Sequence, residues 1–190
     1  MILIVLASGR GSRLKKETSK KPKCLIKIND KTILENLEKI FVYFNKVIIV
    51  SGYKYKLIKK KYSSPKIKVI VNKKFRSTNM VYSLFLANKF VNSDVVVTYG
   101  DIFFDESIIK RLIKIKKTVL DKVIKYYESL DKSIYYDGKD YDNMYMTSFI
   151  QMIIDNLEDV NHVYINSGWV EIDSVEDLKA LESVHESFGL

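Results

Sequence analysis

The sequence predicts an α/β fold in which a mostly parallel, twisted sheet carries helices on both faces. Four short apolar segments, rich in β-branched residues, alternate with segments in which apolar residues recur at helical spacing. Strands without polar alternation are typical of parallel sheets covered on both faces. The predicted strands and helices are 2–6, 32–44, 46–50, 53–62, 67–71, 79–90, 94–99 and 105–116 in chain order.

The first half of this pattern has clear local signals. Residues 2–6 form an uninterrupted apolar run, which predicts a central strand. Apolar residues in 32–44 recur every three to four positions, which predicts a helix. The next strand, 46–50, is β-branched, and the lysine-rich segment 53–62 predicts a helix whose lysines face solvent.

The second half repeats the alternation. Segment 67–71 is β-branched and predicts a third strand. Asn79 is a typical N-cap residue and predicts the start of the following helix. Segment 94–99 is the fourth strand, and 105–116 carries isoleucine and leucine at the spacing of a buried helix face.

Glycine marks one edge of this predicted sheet. Right-handed crossovers bring the carboxyl ends of parallel strands to a single edge, outside which ligands bind. Four of the seven glycines end strands there: Gly9, Gly11, Gly52 and Gly100. We therefore expect the ligand site at this edge.

The turn Leu6–Leu14, after the first strand, has the composition of a polyphosphate site. Gly9 and Gly11 allow backbone N–H groups to approach phosphate oxygens closely. Arg13 and, further on, Lys23 supply positive charge. The dinucleotide fingerprint and the P-loop are disfavoured, because the third glycine of the first and the Gly-Lys-Ser/Thr of the second are missing.

Composition narrows the class of protein. The chain has 190 residues, 47% of them hydrophobic, which excludes disorder, and no apolar stretch is long enough to span a membrane. The chain has a single cysteine, Cys24, which excludes an internal disulfide and suits a reducing cytoplasm. We expect the protein to act in the cytoplasm and to have no signal peptide. Residues 1–130 contain 29 lysines and arginines and 10 acidic residues, a net charge of 29 − 10 = +19. Residues 131–190 contain 3 and 13, a net charge of 3 − 13 = −10. Because only four arginines occur, we expect no nucleic-acid partner.

Acidic residues from two distant segments predict a metal site. Asp101 directly follows Gly100 at the end of a buried strand, where a carboxylate can bind a hard cation such as Mg²⁺. Glu171 and Asp173 lie on one face of a short extended run. Asp173 or Ser174 could instead cap a helix that begins there, and the residues alone leave both interpretations open.

The opening sequence Leu-Ala-Ser-Gly-x-Gly-x-Arg-Leu, followed by Pro-Lys, resembles the signature of nucleotidyltransferases that activate sugar phosphates and related alcohol phosphates. Ser51–Tyr53 and Tyr99–Asp101 extend the resemblance. Asn79–Leu84 and Gly168–Asp173 are most similar to the cytidylyltransferase branch, which includes phosphocholine and phosphoglutamine cytidylyltransferases.

The resemblance implies a Rossmann-like (GT-A-like) fold and a cytoplasmic enzyme that transfers CMP from CTP to a small phosphorylated metabolite, with release of pyrophosphate. It implies Mg²⁺ as cofactor, a possible homodimer, and a place in capsule or surface polysaccharide biosynthesis. The alternatives are a sugar-1-phosphate nucleotidyltransferase using UTP, dTTP or GTP, a non-catalytic nucleotide-binding module, and a basic nucleic-acid binder.

The resemblance also implies roles for individual residues. Lys23 would stabilise the α-phosphate, Arg13 the leaving pyrophosphate, and Asp101 would act with them as a catalytic residue. The implied metal ligands are Asp101, Asp173 and Glu171. The implied nucleotide-binding residues are Leu6, Ala7, Ser8, Gly9, Gly11, Ser12, Arg13, Lys23, Ser51, Gly52, Asn79, Ser83, Gly100 and Asp101.

We expect one nucleotidyltransferase domain over 1–190, with a nucleotide-binding core at 1–118 and a shortened acceptor- and metal-binding part at 119–190. The family usually has a longer middle, and the join at Thr118–Val119 is abrupt. Tyr135–Tyr145 either lines an acceptor pocket for a cationic or amino-bearing substrate or forms a surface loop.

Overall fold

A computed structural model describes the backbone of residues 1–114, 120–157 and 159–188, with side chains as far as residue 181. The described strands are β1 (Ile2–Ala7), β2 (Lys27–Ile28), β3 (Lys31–Thr32), β4 (Lys46–Ser51), β5 (Ile67–Val71), β6 (Val95–Tyr99), β7 (Ile102–Phe104) and β8 (Trp169–Glu171). Strands β5, β4, β1 and β6 lie side by side in this order and run parallel. The predicted fold class is therefore confirmed.

The described α-helices cover both faces of this sheet, except the last, which packs on β2 and the turn after β1. They are α1 (Ile33–Leu37), α2 (Tyr55–Lys61), α3 (Met80–Phe85), α4 (Glu106–Leu112), α5 (Leu120–Ser129), α6 (Met146–Asn156) and α7 (Val175–Phe188). Short 3-10 turns lie at Ser12–Thr18, Lys23–Leu25, Glu38–Tyr43, Asn88–Phe90 and Tyr141–Asn143. The predicted helix 32–44 thus begins as α-helix and continues as a 3-10 turn.

Alternate side chains of the central strands enter two apolar layers. On one face of β1, Leu3 and Val5 pack with residues from α1, α2 and α4. On the other face, Ile2 and Ile4 pack with α3, α5 and α6. Burial on both sides explains why these strands appear in the sequence as continuous apolar runs.

A two-stranded pairing carries the end of the chain to the edge of the sheet. Strands β7 and β8 are antiparallel, with Ile102 opposite Glu171 and Phe104 opposite Trp169. The Ile172 N–H then donates to the Asp101 carbonyl over 3.0 Å. This pairing brings residues that lie some seventy positions apart in sequence to the carboxyl end of β6.

Strand β6 is an edge strand of the central sheet. In the part of the chain that the structure describes, its one partner is β1. Its outer side faces an apolar groove of about 790 Å³, and Val97 is 38% exposed there. Among the helices described, none combines the length and the apolar composition that a bilayer span requires.

Candidate active site

A cleft of about 240 Å³ lies at the carboxyl ends of β1 and β6. Its lining combines the glycine turn with basic and acidic side chains. It consists of Leu6, Ala7, Gly9, Gly11, Ser12, Arg13, Lys23, Cys24, Gly100, Asp101 and Asp173. The sequence analysis predicted all of these as site residues except Cys24.

The turn after β1 is held in a shape that only glycine adopts easily. Gly11 has φ +70°, in the left-handed region, and the Thr18 hydroxyl donates to its carbonyl over 2.9 Å. A Cβ at Gly11 would lie 2.9 Å from Cβ of Lys23, so the turn rests directly on the Lys23 stem. The absence of a side chain at Gly11 therefore leaves room for the stem of Lys23.

Lys23 joins acidic residues from two distant parts of the chain. Its ammonium donates to Oδ2 of Asp101 over 2.7 Å and to Oδ1 of Asp173 over 2.5 Å. The Lys23 side chain is 10% exposed, against 26% for Asp101 and 41% for Asp173. The structure therefore brings the early and late charged residues to one point, as the sequence analysis expected.

Asp173 lies in the cleft, and the neighbouring Ser174 caps the helix that follows. The Ser174 hydroxyl accepts from the Asp177 N–H over 3.1 Å, and the Asp177 carboxylate accepts from the N–H groups of Asp173 and Ser174. The Asp173 carboxylate is thus free to contact Lys23 and also Arg13. The ammonium of Lys23, together with Arg13, lowers the pKa of Asp173.

Two carboxylates of this cleft, together with the adjacent carboxylate of Glu171, fit a divalent cation. One ligand oxygen each from Asp101, Glu171 and Asp173 can be chosen so that all lie within 4.8 Å of one another. Burial, and the negative charges of Asp101 and Asp173, raise the pKa of Glu171. Hard oxygen donors in a site with excess negative charge are the ligands that Mg²⁺ and similar cations take. Asp101, Glu171 and Asp173 could therefore hold such an ion.

Four further predicted residues, Ser8, Ser51, Gly52 and Ser83, are not among those that line the cleft. Ser8 is partly exposed, and its hydroxyl lies 3.4 Å from that of Ser83 on α3. Gly52 packs closely on the turn, because a Cβ there would lie 2.6 Å from the Ser8 carbonyl oxygen. Ser51 is fully buried, and its contribution to nucleotide binding stays a prediction.

Asn79 caps α3 as predicted. Its side chain accepts from the Met80 N–H over 2.8 Å, and its own N–H donates to the Asp142 carbonyl over 2.9 Å. Stretch Tyr135–Tyr145 is thereby fastened to α3, and the ring of Tyr141 stacks on that of Tyr127 at a centroid distance of 4.8 Å. Whether this stretch contacts an acceptor stays a prediction.

Sequence reasoning missed Asn72, which directly follows β5. Asn72 is 1% exposed and donates to the hydroxyls of Thr78 and Ser83. A polar residue at the end of a β-branched strand was the signal that pointed to Asp101, and the same signal would have found Asn72.

Comparison with known families gives this site its context. Residues 3–125 match the MobA-like NTP transferase domain, and that match contains β1 from its second residue and β2 to β6, together with Lys23 and Asp101. The chain belongs to the MobA-like NTP transferase family. It is a nucleotidyltransferase, as the sequence predicted.

Individual relatives agree with this assignment. CTP:phosphoglutamine cytidylyltransferase of Campylobacter jejuni is 27% identical, and the alignment covers 94% of this chain and 98% of that protein. Bifunctional protein GlmU of Methanococcus maripaludis is 37% identical over 65% of this chain, which spans 30% of its length. The solved structure of CTP:phosphocholine cytidylyltransferase from Streptococcus pneumoniae has the same fold, with a TM-score of 0.76 at 19% identity over 96% of this chain and 98% of that one.

The alignment with the Campylobacter jejuni relative is longer than this chain. It extends over 248 positions, so at least 248 − 190 = 58 of them have no residue of this chain opposite. The predicted join at Thr118–Val119 lies in 115–119, outside the described residues, and the division of the chain at this point stays a prediction.

Proposed function

We propose that this nucleotidyltransferase transfers CMP from CTP to a small phosphorylated metabolite, of the phosphoglutamine or phosphocholine type, and releases pyrophosphate. The observation that carries the proposal is the meeting of Lys23, Asp101 and Asp173 beside the glycine turn. Such a site offers what phosphoryl transfer asks of a protein, namely positioning and neutralisation of charge. Relatives that are named as cytidylyltransferases support the choice of nucleotide.

The reaction we propose is an in-line displacement. An oxygen of the acceptor phosphate attacks the α-phosphorus of CTP, and a new P–O bond forms. The bond from the α-phosphorus to the bridging oxygen breaks, and its electron pair leaves with pyrophosphate. No general base is needed, because the attacking phosphate is already ionised at neutral pH.

The residues of the cleft would divide this work among them. Lys23 would release its contacts with the two carboxylates and neutralise charge at the α-phosphate. Arg13, which is 74% exposed on the rim, would bind the departing pyrophosphate. Backbone N–H groups of the turn at Gly9 and Gly11 would bind phosphate oxygens. A Mg²⁺ ion held by Asp101, Asp173 and Glu171 would supply charge neutralisation at the nucleotide oxygens.

The decisive experiment measures nucleotide choice and turnover separately. Thermal denaturation with Mg²⁺ and each of CTP, UTP, dTTP, GTP and ATP should show the largest stabilisation with CTP. Pyrophosphate release should then occur with CTP and either phosphocholine or phosphoglutamine. D173N should lower turnover about a hundredfold, whereas D155N, on the exposed side of α6, should not.

The outcomes separate the alternatives. Stabilisation by UTP, dTTP or GTP but not by CTP would favour the sugar-1-phosphate nucleotidyltransferase. Binding of CTP without pyrophosphate release for any acceptor would favour a nucleotide-binding module without catalytic activity.

A further inference from the structure

Thr18 is a buried polar side chain that the reaction proposed above does not use. It is 1% exposed and is not among the residues that line the cleft. Its hydroxyl donates to the Gly11 carbonyl over 2.9 Å and lies 3.5 Å from the Lys15 carbonyl. The Leu14 N–H donates to the same Gly11 carbonyl over 3.1 Å. Two donors therefore hold one carbonyl of the glycine turn.

The direction of the Gly11 carbonyl fixes that of the next N–H group. In a trans peptide, the carbonyl of one residue and the N–H of the next point in opposite directions, and no peptide bond of the described residues is cis. Because the Gly11 carbonyl points to the buried Thr18, the Ser12 N–H points away from it. Ser12 is exposed and lines the cleft. The Thr18 hydroxyl therefore sets how this peptide faces the cleft.

The backbone before Thr18 is strained. Lys15 has φ +47° and ψ −110°, and it interrupts the 3-10 turn Ser12–Thr18. A residue with a side chain keeps such a backbone only where the contacts around it impose it. The Thr18 hydroxyl is one of these contacts, because it lies against the carbonyls of both Gly11 and Lys15. Loss of the hydroxyl would let the kink relax and would loosen the Gly11 carbonyl.

Tyr53, which follows β4, holds both ends of this turn. Its hydroxyl donates to the Ser19 carbonyl over 2.9 Å, and its N–H donates to the Ser8 carbonyl over 3.0 Å. The cleft residues that the turn supplies all lie between these two points, namely Gly9, Gly11, Ser12 and Arg13. Because Ser19 is fixed in this way, the neighbouring Thr18 is a firm anchor for the Gly11 carbonyl.

We propose that Thr18 is a positioning residue for the triphosphate: its hydroxyl holds the Gly11–Ser12 peptide so that the Ser12 N–H is directed at a phosphate oxygen. A donor that is already fixed in direction binds an anion without the cost of ordering the turn. A hydrogen bond to a charged oxygen is also stronger than one between neutral groups. This inference rests on the proposed function, because it takes the cleft as a triphosphate site, but it does not depend on the base.

Two substitutions separate the hydroxyl of Thr18 from the rest of the side chain. T18V keeps the shape and removes the donor, whereas T18S keeps the donor and removes a methyl group. Calorimetric titration of the full chain with inorganic tripolyphosphate and Mg²⁺ measures affinity without a contribution from a base. We expect T18V to weaken binding about tenfold, and T18S to stay within about twofold of the parent.

T98V is the matched control. Thr98 on β6 is also buried, at 9% exposure, and its hydroxyl donates to the Tyr99 carbonyl over 3.4 Å. It is not among the residues that line the cleft. T98V loses a buried hydroxyl as T18V does, and its affinity for tripolyphosphate should stay within about twofold of the parent's. A merely structural role of Thr18 would lower the melting temperature of T18V and leave its affinity for tripolyphosphate unchanged.

A measurement on the unmodified protein does not depend on whether the variants fold. The Ser12 N–H has no hydrogen-bond partner in the part of the chain that the structure describes, so its hydrogen should exchange rapidly with water. Tripolyphosphate should slow this exchange, which NMR follows at the single amide.

Three results would overturn the inference: exchange at Ser12 that tripolyphosphate does not slow, a T18V protein that binds tripolyphosphate as tightly as the parent, or a T18S protein that binds it as weakly as T18V. A parent protein that binds no tripolyphosphate would overturn it as well. A parent that binds tripolyphosphate but prefers another nucleotide to CTP would instead overturn the proposed function alone.

Discussion

Replacement of Lys23 by methionine tests how the charged groups of the cleft depend on one another. Methionine keeps most of the stem but removes the ammonium that contacts Asp101 and Asp173. Loss of one partner from a fully buried ion pair costs about 3–5 kcal/mol. Because the two carboxylates are 26% and 41% exposed and therefore partly screened, we expect a smaller loss, of about 1–2 kcal/mol in the free energy of unfolding. For a chain of this length, that loss lowers the melting temperature by roughly 2–8 °C.

Divalent cations should reverse this loss. In the parent, the Lys23 ammonium and a cation compete for the same oxygens of Asp101 and Asp173. K23M removes the competitor, so Mg²⁺ should bind the variant without nucleotide about tenfold more tightly, as about 1.4 kcal/mol of released competition implies. Turnover with CTP should nevertheless fall about a hundredfold, because the charge on the transferred phosphate is no longer neutralised.

Thermal denaturation over a range of Mg²⁺ concentrations checks the stability and affinity together. Lys27, which is exposed on β2, provides the matched control variant K27M, whose melting temperature and Mg²⁺ response should equal those of the parent. A K23M protein that Mg²⁺ stabilises no more than it stabilises the parent would refute the view that ammonium and cation share these carboxylates.

Two further predictions follow from local geometry. G11A should lose about 1–2 kcal/mol of stability from its left-handed backbone and, because the new Cβ displaces the stem of Lys23, a larger share of its turnover; urea denaturation beside a pyrophosphate assay would separate these effects. Bonds to Lys61 and Thr32 lower the pKa of Glu35 to about 2 from an ordinary value of 4.5, so its contribution to stability is present above about pH 4.5 and disappears as the pH falls towards 2. The stability difference between the parent and E35Q, about 1 kcal/mol at pH 7, should therefore shrink steadily in urea titrations from pH 5 to pH 3, and a constant difference would contradict this assignment.

The sequence predicted the central sheet well because its inner strands, β1 and β4, are buried on both faces, and β5 and β6 are rich in β-branched residues. Strand β5 was predicted with the bounds that the structure shows, and the other three differ by one residue at one end. Continuous apolar runs ended by glycine or a polar residue are visible without any knowledge of tertiary structure. The end of the fourth apolar run likewise predicted that Asp101 lies at the cleft.

The pairing of β7 with β8 could not be predicted in this way. Each strand has only three residues, and their partners are distant in sequence, so neither has a periodicity of its own. The double contact of Lys23 depends on this pairing, because β8 carries Asp173 to Asp101. The residue-type argument identified the charged groups, but the geometry that joins them is a tertiary property.

The competition between capping and metal binding at Asp173 also needed the structure. Two adjacent residues, Asp173 and Ser174, were equally suited to begin α7. The capping bonds between Ser174 and Asp177 assign that task to the serine. A shift of one residue would have turned the Asp173 carboxylate away from the cleft.

Cys24 provides the protein with a natural reporter of this site. It is the single thiol of the chain, it borders the cleft, and it is 3% exposed. Burial raises its pKa to about 12, so almost none of it is thiolate at neutral pH and alkylating reagents should react only during transient opening. The rate of alkylation therefore measures how often the floor of the cleft opens, without any introduced label, and a ligand that closes the cleft should slow it.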